Sequence, residues 1–560
     1  MSGPRILIVG GVAGGASAAT RARRLNESAE IVIFERGEHV SFANCGLPYH
    51  IGGQIADRDK LLVSTPESFR RRFNISVHTR TEVAAIDRAA HEIEVVDHAT
   101  GRRRREHYDK LILAPGAEPI VPPWPGADAP NVFVLRNLRD MDRIKAAVDS
   151  GQAKRAVVVG AGFIGLEMVE ALVTRGLHVA VVELAPQVLP PLDAEMAREI
   201  ERVLRRHGVE VITGVAVEGL EQDGGRVTGV RLPDGRVVPA DLVLLSMGVR
   251  PNTGLARAAG LTIGPSGAIA VNEHLQTSDP DIYAVGDAAE VLHAVTGQPA
   301  RVPLAGPANR NGRLAGEHAA TGHALPATPV TGIAIVGVFG TAAAMTGLSA
   351  RAARQAGLDV DVAYAIAGHH AGYYPGAQEM ILKLVFERGS RRVLGAQAVG
   401  GAGVDKRIDI VSTVLHFRGT LEDLAGLDLA YAPQFGSAKD PLHIAAFVAL
   451  NTADGHVRAI APGEPIPSEP RSQLVDVRSA EEFARGALPG AINIPLPELR
   501  DRLHELDRSA PVTVYCQVGQ RGYNAARILM QSGFTKVQHL AGGYRLHADV
   551  DGPPDVSSRA

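Results

Sequence analysis

Two segments of the chain share the order strand, glycine-rich turn, helix and strand, and this repeated unit limits the possible folds more than any other feature. In the first segment, the apolar run Arg5–Val9 is followed by GGVAGG, a helix-forming stretch and the strand IVIFE. The second segment, at 155–183, reads RAVVVGAGFIGLEMVEALVTRGLHVAVVE. A strand joined to a helix by a glycine turn is typical of dinucleotide-binding α/β domains. We therefore predict two such domains.

The second glycine turn has the full fingerprint of a dinucleotide site. Glycine is needed where the chain leaves the strand, where backbone approaches pyrophosphate, and where helix meets sheet, and the helix N-terminus attracts phosphate. Gly160, Gly162 and Gly165 occupy these three places. Glu183 ends the next strand, where its carboxylate can accept ribose hydroxyls and would repel a 2′-phosphate. NADH is therefore favoured over NADPH.

The first glycine turn departs from this pattern, because Val12 stands at the second glycine place, although neighbouring glycines add backbone freedom. A later strand ends in AVGD, where a carboxylate can reach a ribityl hydroxyl. Two dinucleotide sites in one chain favour FAD at the first and NADH at the second. The cofactor-binding residues predicted at the first turn and at the later strand are Gly10, Val12, Ala13, Gly14, Gly15, Glu35, Gly286 and Asp287.

A length of 560 residues predicts three or four domains. The strand DIYAVGDAAEV at 281–291 closes the first α/β domain, so the second is inserted within it. After these, an α+β pattern, a proline-rich linker and a small α/β pattern follow. The predicted boundaries are 1–120 with 250–330 for FAD, 121–249 for NAD(H), 331–448, the linker 449–470, and 471–560.

Composition excludes several function classes. With 45% apolar residues, 21% charged residues and a net charge of -3, the chain has no basic excess for nucleic acid or anionic lipid. No run of about 18 apolar residues predicts a membrane span. The two cysteines are too few for a disulfide framework, and the first residues lack the pattern of a signal peptide. We expect a cytoplasmic protein without a metal site.

Five ordered motifs show a family resemblance: GGVAGGASAA, SFANCGLPY, YDKLILAPGA, VGAGFIGLEM and YAVGDAAE. Over residues 5–448 the chain resembles pyridine nucleotide–disulfide oxidoreductases of the coenzyme A-disulfide reductase branch. The motifs LVDVRSAEEFARGALPGAINIP, VYCQVGQRGYNAA and LAGGY resemble a rhodanese domain, with Ala487 where that family often has histidine. The resemblance implies a dimerisation domain over 331–448 and a rhodanese domain over 471–560. It also implies an FAD-dependent enzyme that uses NADH to reduce coenzyme A persulfide, polysulfide or coenzyme A disulfide.

The resemblance implies that Cys45 is the redox-active cysteine that forms a mixed disulfide with coenzyme A. Two-cysteine relatives would have their second cysteine at residue 50, which is His50 here, so we expect no internal disulfide. A helix beginning in LPYHIGG would stabilise a Cys45 thiolate through its dipole. The residues that the resemblance places near coenzyme A are Ser17, Arg21, Arg24, Ser41 and Asn44.

Two observations leave the coenzyme A prediction open. The first is that Arg21 and Arg24 could instead form a solvated helix face. Phe73 stands where some relatives have a lysine for coenzyme A, although Arg71 and Arg72 lie beside it.

The third domain carries residues that relatives send across a dimer interface toward flavin or substrate. Tyr373, Tyr431 and Lys439 match those positions, and the resemblance implies a homodimer. Phe435 and Gln434 replace a tyrosine and a proline of many relatives, so a purely structural role for these aromatic residues is the alternative.

The loop CQVGQR, from Cys516 to Arg521, joins a strand to a helix, so its backbone N–H groups can hold an anion around the sulfur. Arg521 would add a positive charge. The loop has the size of rhodanese loops, whereas related phosphatases have one more residue, so sulfur transfer is favoured. We expect Cys516 to take sulfane sulfur from a polysulfide, a persulfide or thiosulfate.

Two other functions stay open. The first is an NADH oxidase or peroxidase in which Cys45 cycles through sulfenic acid. The second is a redox-sensing or sulfur-relay protein in which turnover is incidental.

Overall fold

The computed structural model describes residues 3–548, which divide into two compact units. The first unit is Met1–Pro186 with Gly208–Gly332, and the second is Gln187–His207 with Ile333–Ala560. The end of the domain predicted over 471–560, beyond residue 548, lies outside the described residues. None of the helices in the described part of the chain is long and apolar enough to cross a membrane.

The first sheet of the first unit is parallel and carries the N-terminal glycine turn. Its central strand lies in the hydrophobic core, where Ile6, Leu7 and Ile8 are fully buried. The strands, in spatial order, are Ile282–Ala284, Lys110–Leu113, Arg5–Val9, Glu30–Phe34 and Ser76–His78.

Two helices, Ala13–Leu25 and Ala305–Thr321, pack closely beside this first sheet. A Cβ added at Gly312 would lie 2.2 Å from the carbonyl oxygen of Gly14, and one at Gly316 would lie 2.2 Å from that of Ala18. Only glycine allows this approach of two backbones. The close approach positions the start of the first helix against the sheet edge.

The second sheet of the first unit is also parallel and carries the second glycine turn. All of its strands come from residues 132–245, between strands of the first sheet. Helices Leu138–Asp149 and Phe163–Thr174 belong to the same stretch. The strands, in spatial order, are Glu210–Thr213, His178–Glu183, Arg155–Val159, Leu242–Leu245 and Val132–Phe133.

The rest of the first unit consists of smaller elements that flank the two sheets. Two antiparallel sheets contain strands Thr81–Asp87, Glu92–Asp97, Arg103–His107 and Gly219–Asp223, Arg226–Arg231, Val237–Pro239. Two strand pairs are Ala117–Pro119 with Val249–Pro251, and Val291–Leu292 with Pro299–Ala300. The α-helices are Leu47–Gly52, Pro66–Phe73 and Gly254–Ala258, and the 3₁₀ turns are Asn44–Gly46, Arg58–Leu61 and Gly286–Ala288.

The second unit contains an antiparallel sheet whose strand Glu379–Glu387 is almost wholly buried. The strands, in spatial order, are Ala334–Val338, Thr341–Gly347, Val393–Gly400, Glu379–Glu387 and Val360–Gly368. The helices of this part of the unit are Ala194–Arg206, Ala350–Gln355, Val404–His416, Leu421–Ala425 and Pro441–Ala453.

The segment Gln187–His207 belongs to this second unit, although we had predicted the whole of 121–249 as one domain. The cause is a buried ion-pair group. Lys383, which is 3% exposed, binds the carboxylates of Asp193 (2.7 Å) and Glu195. Gln397 donates to Asp193 (2.7 Å). A buried ammonium requires such partners, so the helix Ala194–Arg206 is held on the antiparallel sheet.

The C-terminal sheet is parallel, with strands in the order Arg458–Ile460, Val537–Leu540, Val512–Tyr515, Gln473–Asp476 and Ile492–Asn493. Its helices are Ala480–Ala484, Gln520–Gln531 and Gly543–His547, with a 3₁₀ turn at Leu503–Glu505. The strand Arg458–Ile460 lies in the predicted linker 449–470, and so does the end of the helix that closes at Ala453. The free connection is therefore shorter than predicted, because this strand pairs with Val537–Leu540. The predicted α/β fold class is confirmed.

The helix Gly543–His547 connects the Cys516 loop with other parts of the second unit. The backbone N–H of Tyr544 donates to the carbonyl of Cys516 (2.7 Å). The side chain of Arg545 binds Glu199 (2.7 Å) and lies 3.5 Å from Glu379. The helix thus fixes the loop against elements of the antiparallel part.

His539 is an acid-sensitive position in the C-terminal sheet. Its side chain is buried, and neither ring nitrogen has a hydrogen-bond partner among the described residues. Burial, with a smaller contribution from His547, lowers the pKa of His539 to about 4. The folded state therefore favours the neutral ring, so its stabilising contribution is complete above an unfolded pKa of about 6.5 and is lost as the pH falls toward 4.

We predict that lowering the pH from 7 to 5 costs the C-terminal sheet about 2 kcal/mol through His539. His539→Leu, which cannot be protonated, removes that part of the pH dependence. The measurement is urea unfolding at both pH values by pulse proteolysis, with peptides of 473–547 followed by mass spectrometry. The control His504→Gln changes an exposed histidine and keeps the full pH dependence. Equal pH dependence in His539→Leu and the parent protein would contradict the prediction.

Candidate functional site

A cavity of about 1000 Å³ lies at the carboxyl edge of the first sheet. This volume is at the upper end of the range for small-ligand sites, so a whole dinucleotide can be accommodated. The predicted cofactor residues that line it are Gly10, Val12, Ala13, Gly14, Glu35, Gly286 and Asp287.

The first turn fits a dinucleotide through its backbone. Gly10 has φ 90°, and a Cβ there would lie 2.2 Å from the carbonyl oxygen of Ala114. A Cβ at Gly15 would lie 1.9 Å from the carbonyl oxygen of Gly10. Val12, by contrast, is the N-cap of the following helix and has φ -98°, outside the left-handed region that favours glycine. A positive φ therefore does not require glycine at this place.

Glu35 is held at the end of the second strand by two backbone N–H groups. Gly11 donates to one carboxylate oxygen (2.9 Å) and Gly37 donates to the other (2.7 Å). Each oxygen keeps a further lone pair, so the carboxylate can also accept ribose hydroxyls. Glu35 therefore orders the turn and still has lone pairs that can accept ribose hydroxyls.

The second turn repeats this geometry. Gly160 has φ 104°, and a Cβ at Gly165 would lie 2.1 Å from the carbonyl oxygen of Gly160. Gly162 is the N-cap of Phe163–Thr174, and its Cβ position is open space that pyrophosphate can use. Glu183 accepts from the N–H groups of Ala161 (2.7 Å) and Ala185 (2.8 Å). The predicted NADH residues thus have the arrangement of the first site.

Cys45 is exposed and lies in the 3₁₀ turn Asn44–Gly46, directly before the helix Leu47–Gly52. Asn44 lines the large cavity, as does Asp287. His50 is buried and its Nδ1 lies 2.6 Å from the carbonyl oxygen of Ile55. Cys45 is a free thiol, and the position where two-cysteine relatives would have its partner is occupied by His50.

The expected lowering of the Cys45 pKa is not confirmed, although the helix begins where predicted. Partial desolvation raises the pKa of the Cys45 thiol, and the carboxylates of Glu167 and Asp287 raise it further. Glu167, which the sequence analysis missed, comes from the helix Phe163–Thr174 and accepts from the hydroxyl of Tyr49 (3.0 Å). Its only sequence signal is its place two residues after Gly165.

The residues predicted to contact coenzyme A differ in how free they are. Ser17 donates to Asn309 (2.7 Å), and Arg21 binds Glu317 through two nitrogens (2.9 and 2.7 Å). A phosphate at Arg21 would have to compete with that carboxylate. Ser41 has φ 48°, a conformation that costs energy in a serine. These assignments stay predictions.

Phe73 forms a platform for two exposed guanidinium groups. Arg24 lies 5.4 Å and Arg72 lies 5.6 Å from the centre of the Phe73 ring. Stacking on an aromatic ring leaves the N–H donors of arginine available for phosphate. Phe73 stands where a lysine was expected, and it therefore places two arginines, Arg24 and Arg72, near that position.

In the second unit, two loops bring the predicted tyrosines together. The hydroxyls of Tyr373 and Tyr431 lie 3.0 Å apart, and Tyr373 is 75% exposed. Lys439 is exposed on the same loop as Tyr431. The buried pair Arg407 and Asp440 (2.6 Å) fixes the end of that loop.

The second thiol, Cys516, is buried at the end of the strand Val512–Tyr515. The N–H of Gly519 donates to its sulfur (3.2 Å), as expected for a loop that holds an anion. The charge of Arg521 is balanced by Glu482, which binds Nη1 (2.6 Å) and Nη2 (2.7 Å). Glu482 was not among the residues predicted from the sequence. The hydrogen bonds that Arg521 donates to Glu482, together with the nearby Cys516, raise the pKa of Arg521.

Cys45 and Cys516 both lie in segments that match known families. Residues 4–309 match the model described as pyridine nucleotide-disulphide oxidoreductase, 333–441 match its dimerisation domain, and 464–547 match a rhodanese-like domain. The chain belongs to the pyridine nucleotide-disulphide oxidoreductase family and also carries a rhodanese-like domain. FAD and NAD(H) are the cofactors of this family. The two glycine turns and the large cavity fit these cofactors.

Two solved structures match nearly the whole chain. Reduced Bacillus anthracis CoADR-RHD is 44% identical, with a TM-score of 0.93 and 98% coverage of both chains. The NAD-dependent persulfide reductase from A. fulgidus is 40% identical, with a TM-score of 0.91 and coverage of 97% of this chain and 99% of the other.

Two relatives match the flavoprotein part alone. An NADH oxidase from Methanocaldococcus jannaschii is 37% identical over 80% of this chain and 98% of its own length. A coenzyme A disulfide reductase from Staphylococcus aureus is 35% identical over 80% of this chain and 100% of its own length.

We predict that Glu167→Gln lowers the pKa of Cys45, because it removes a nearby negative charge and still accepts from Tyr49. Alkylation of Cys45 by iodoacetamide at pH 7.5 should become about three to ten times faster in a Cys516→Ser background. Glu170→Gln, one helical turn further on, is the matched control and should change the rate less than about twofold. An unchanged alkylation rate in Glu167→Gln would show that the Glu167 carboxylate does not raise the pKa of Cys45.

We predict that Glu183→Gln decreases the ratio of kcat/KM for NADH to that for NADPH about tenfold, because it removes the charge that repels a 2′-phosphate. Glutamine keeps an acceptor for the turn N–H groups. Glu35→Gln makes the same change in the first turn and should leave the ratio unaltered. The assignment of NADH to the second turn fails if Glu183→Gln keeps the parent ratio of kcat/KM values.

Proposed function

We propose that the protein is an FAD-dependent reductase that uses NADH to reduce coenzyme A persulfide, polysulfide or coenzyme A disulfide at Cys45. In this proposal Cys516 handles sulfane sulfur. The observation that carries it is an exposed thiol without an internal partner beside the large cavity, in a chain with a second cysteine in a separate anion-holding loop.

The chemistry of Cys45 follows from its isolation. Its thiolate attacks a sulfur of the substrate S–S bond, forms a mixed disulfide and expels a thiolate or hydrosulfide. FAD, when held by the residues that line the cavity, would supply the two electrons from NADH that cleave this new bond. Cleavage with a proton returns the Cys45 thiolate and, when the substrate carries coenzyme A, releases coenzyme A as thiol. Asp287 and Glu167 oppose negative charge on Cys45, so they make Cys45 a poorer leaving sulfur in the mixed disulfide.

Charge near Phe73 supports coenzyme A as the substrate carrier. The phosphates of coenzyme A can bind Arg24 and Arg72 on the Phe73 ring. Arg21 can bind a phosphate as well if its ion pair with Glu317 breaks. In this proposal Ser17, Ser41 and Asn44 also contact coenzyme A.

We also propose a homodimer in which Tyr373, Tyr431 and Lys439 act at the partner's flavin site. Exposed paired tyrosines in a dimerisation domain support it, since large exposed aromatic residues mark interaction surfaces. We place the activity in the cytoplasm, because both free thiols must stay reduced to react.

A second candidate is NADH oxidation with oxygen or peroxide as acceptor. The relative from Methanocaldococcus jannaschii that carries this name supports it. An exposed Cys45 is open to oxidation to sulfenic acid. The rhodanese-like domain argues for sulfur chemistry instead, since an oxidase has no use for it.

The test is NADH consumption on coenzyme A persulfide, coenzyme A disulfide, oxygen and peroxide by the parent protein, Cys45→Ser and Cys516→Ser. We expect Cys45→Ser to lose reduction of both sulfur substrates at least about 100-fold, while its flavin stays bound and reducible by NADH. Cys516→Ser should keep coenzyme A disulfide reduction and lose sulfur transfer to cyanide. Faster turnover of oxygen or peroxide than of either sulfur substrate would establish the oxidase instead.

A further inference from the structure

The loop around Cys516 has less positive charge than its sequence suggests. Arg521 gives two nitrogens to the two carboxylate oxygens of Glu482, at 2.6 and 2.7 Å. This bidentate pair occupies one edge of the guanidinium group. With 39% of the Arg521 side chain and 22% of the Glu482 side chain exposed, the pair lies at the mouth of the loop.

Arg478, whose guanidinium also contacts the loop, is neutralised as well. Arg478 donates to Gln517 of the loop (3.1 Å), but its Nε and Nη2 bind the carboxylate of Asp476 (2.9 and 2.7 Å). Arg478 and Asp476 are both buried. Each guanidinium beside Cys516 in the described residues therefore has a carboxylate partner, and a Cys516 thiolate leaves the site with a net negative charge.

Sulfur donors differ in the charge that they bring to such a site. With thiosulfate, the Cys516 thiolate attacks the outer sulfur of a dianion, the S–S bond breaks and sulfite leaves. With an organic persulfide RSSH, the thiolate attacks the terminal sulfur, RS⁻ leaves, and Cys516 carries the SH group. Both reactions give a cysteine persulfide without net oxidation or reduction. The dianion meets more repulsion from a negative site.

We propose that Glu482 is a specificity-determining residue, which acts through Arg521 to select organic persulfides over thiosulfate as sulfur donors for Cys516. The inference rests on the proposed sulfur transfer at Cys516 and narrows its donor class. Glu482 is well placed for this effect because it also closes the capping box of helix Ala480–Ala484, where it accepts from the N–H of Ser479 (2.9 Å). The carboxylate is thereby held toward Arg521.

The variant Glu482→Gln separates charge from structure. Glutamine is a regular partner in a capping box and keeps the helix start, while it frees Arg521 from an opposing charge. We expect kcat/KM for thiosulfate to rise about tenfold relative to kcat/KM for the persulfide of 2-mercaptoethanol, with cyanide as acceptor. The full-length protein is used.

Glu481→Gln is the matched control, since Glu481 is the exposed neighbour on the same helix. It should leave the donor ratio within about twofold. An unchanged ratio in Glu482→Gln, or an equal loss with both donors, overturns the inference, because a purely structural role affects both donors alike. Cys516→Ser separates failure of the proposed sulfur transfer at Cys516 from failure of donor selection by Glu482. If Cys516→Ser keeps sulfur transfer, the proposed role of Cys516 fails. If Cys516→Ser loses sulfur transfer while Glu482→Gln keeps the parent donor ratio, only the donor selection fails.

Discussion

The close contact of backbone with backbone at the glycine turns is the constraint on which the first unit depends. In both turns the glycine at the third place, Gly15 or Gly165, lies so near the carbonyl oxygen of the first glycine that a Cβ would be within 2.1 Å of it. This contact sets the angle at which each helix leaves its sheet, and so the direction of the helix N-terminus toward the phosphates. The carboxylates of Glu35 and Glu183 then bind turn N–H groups from the next strand.

A different interaction organises the second unit. Lys383 lies inside a sheet and is matched by two carboxylates from the segment that follows the second dinucleotide turn in sequence. Breaking such a group would leave an unpaired buried charge, which costs several kcal/mol. The segment is therefore committed to the antiparallel sheet, and the polypeptide that carries Glu183 continues directly into it.

The parts of the structure that depend on local sequence could be predicted. The glycine turns and the Cys516 loop are each contained in a few consecutive residues, and each terminal acid ends the next strand, 24 or 22 residues after the turn residue that donates to it. Glu482 and Glu167 could not be predicted, because their partners lie 39 residues away at Arg521 and 118 residues away at Tyr49. The strand Arg458–Ile460 was mistaken for linker because three residues show no periodicity and are ordered by pairing with Val537–Leu540. The pKa of Cys45 depends on carboxylates from two other segments, so the helix alone gave the wrong direction.

The short helix Gly543–His547 gives the Cys516 loop a fixed mounting. Its backbone binds the loop, and Arg545 binds Glu199, whose side chain is only 8% exposed. Dissolved ions screen a largely buried pair weakly. The rhodanese-like domain should therefore keep its orientation toward the antiparallel sheet as ionic strength changes. A salt effect on sulfur transfer can then be assigned to the charges at the loop mouth rather than to release of a tethered domain.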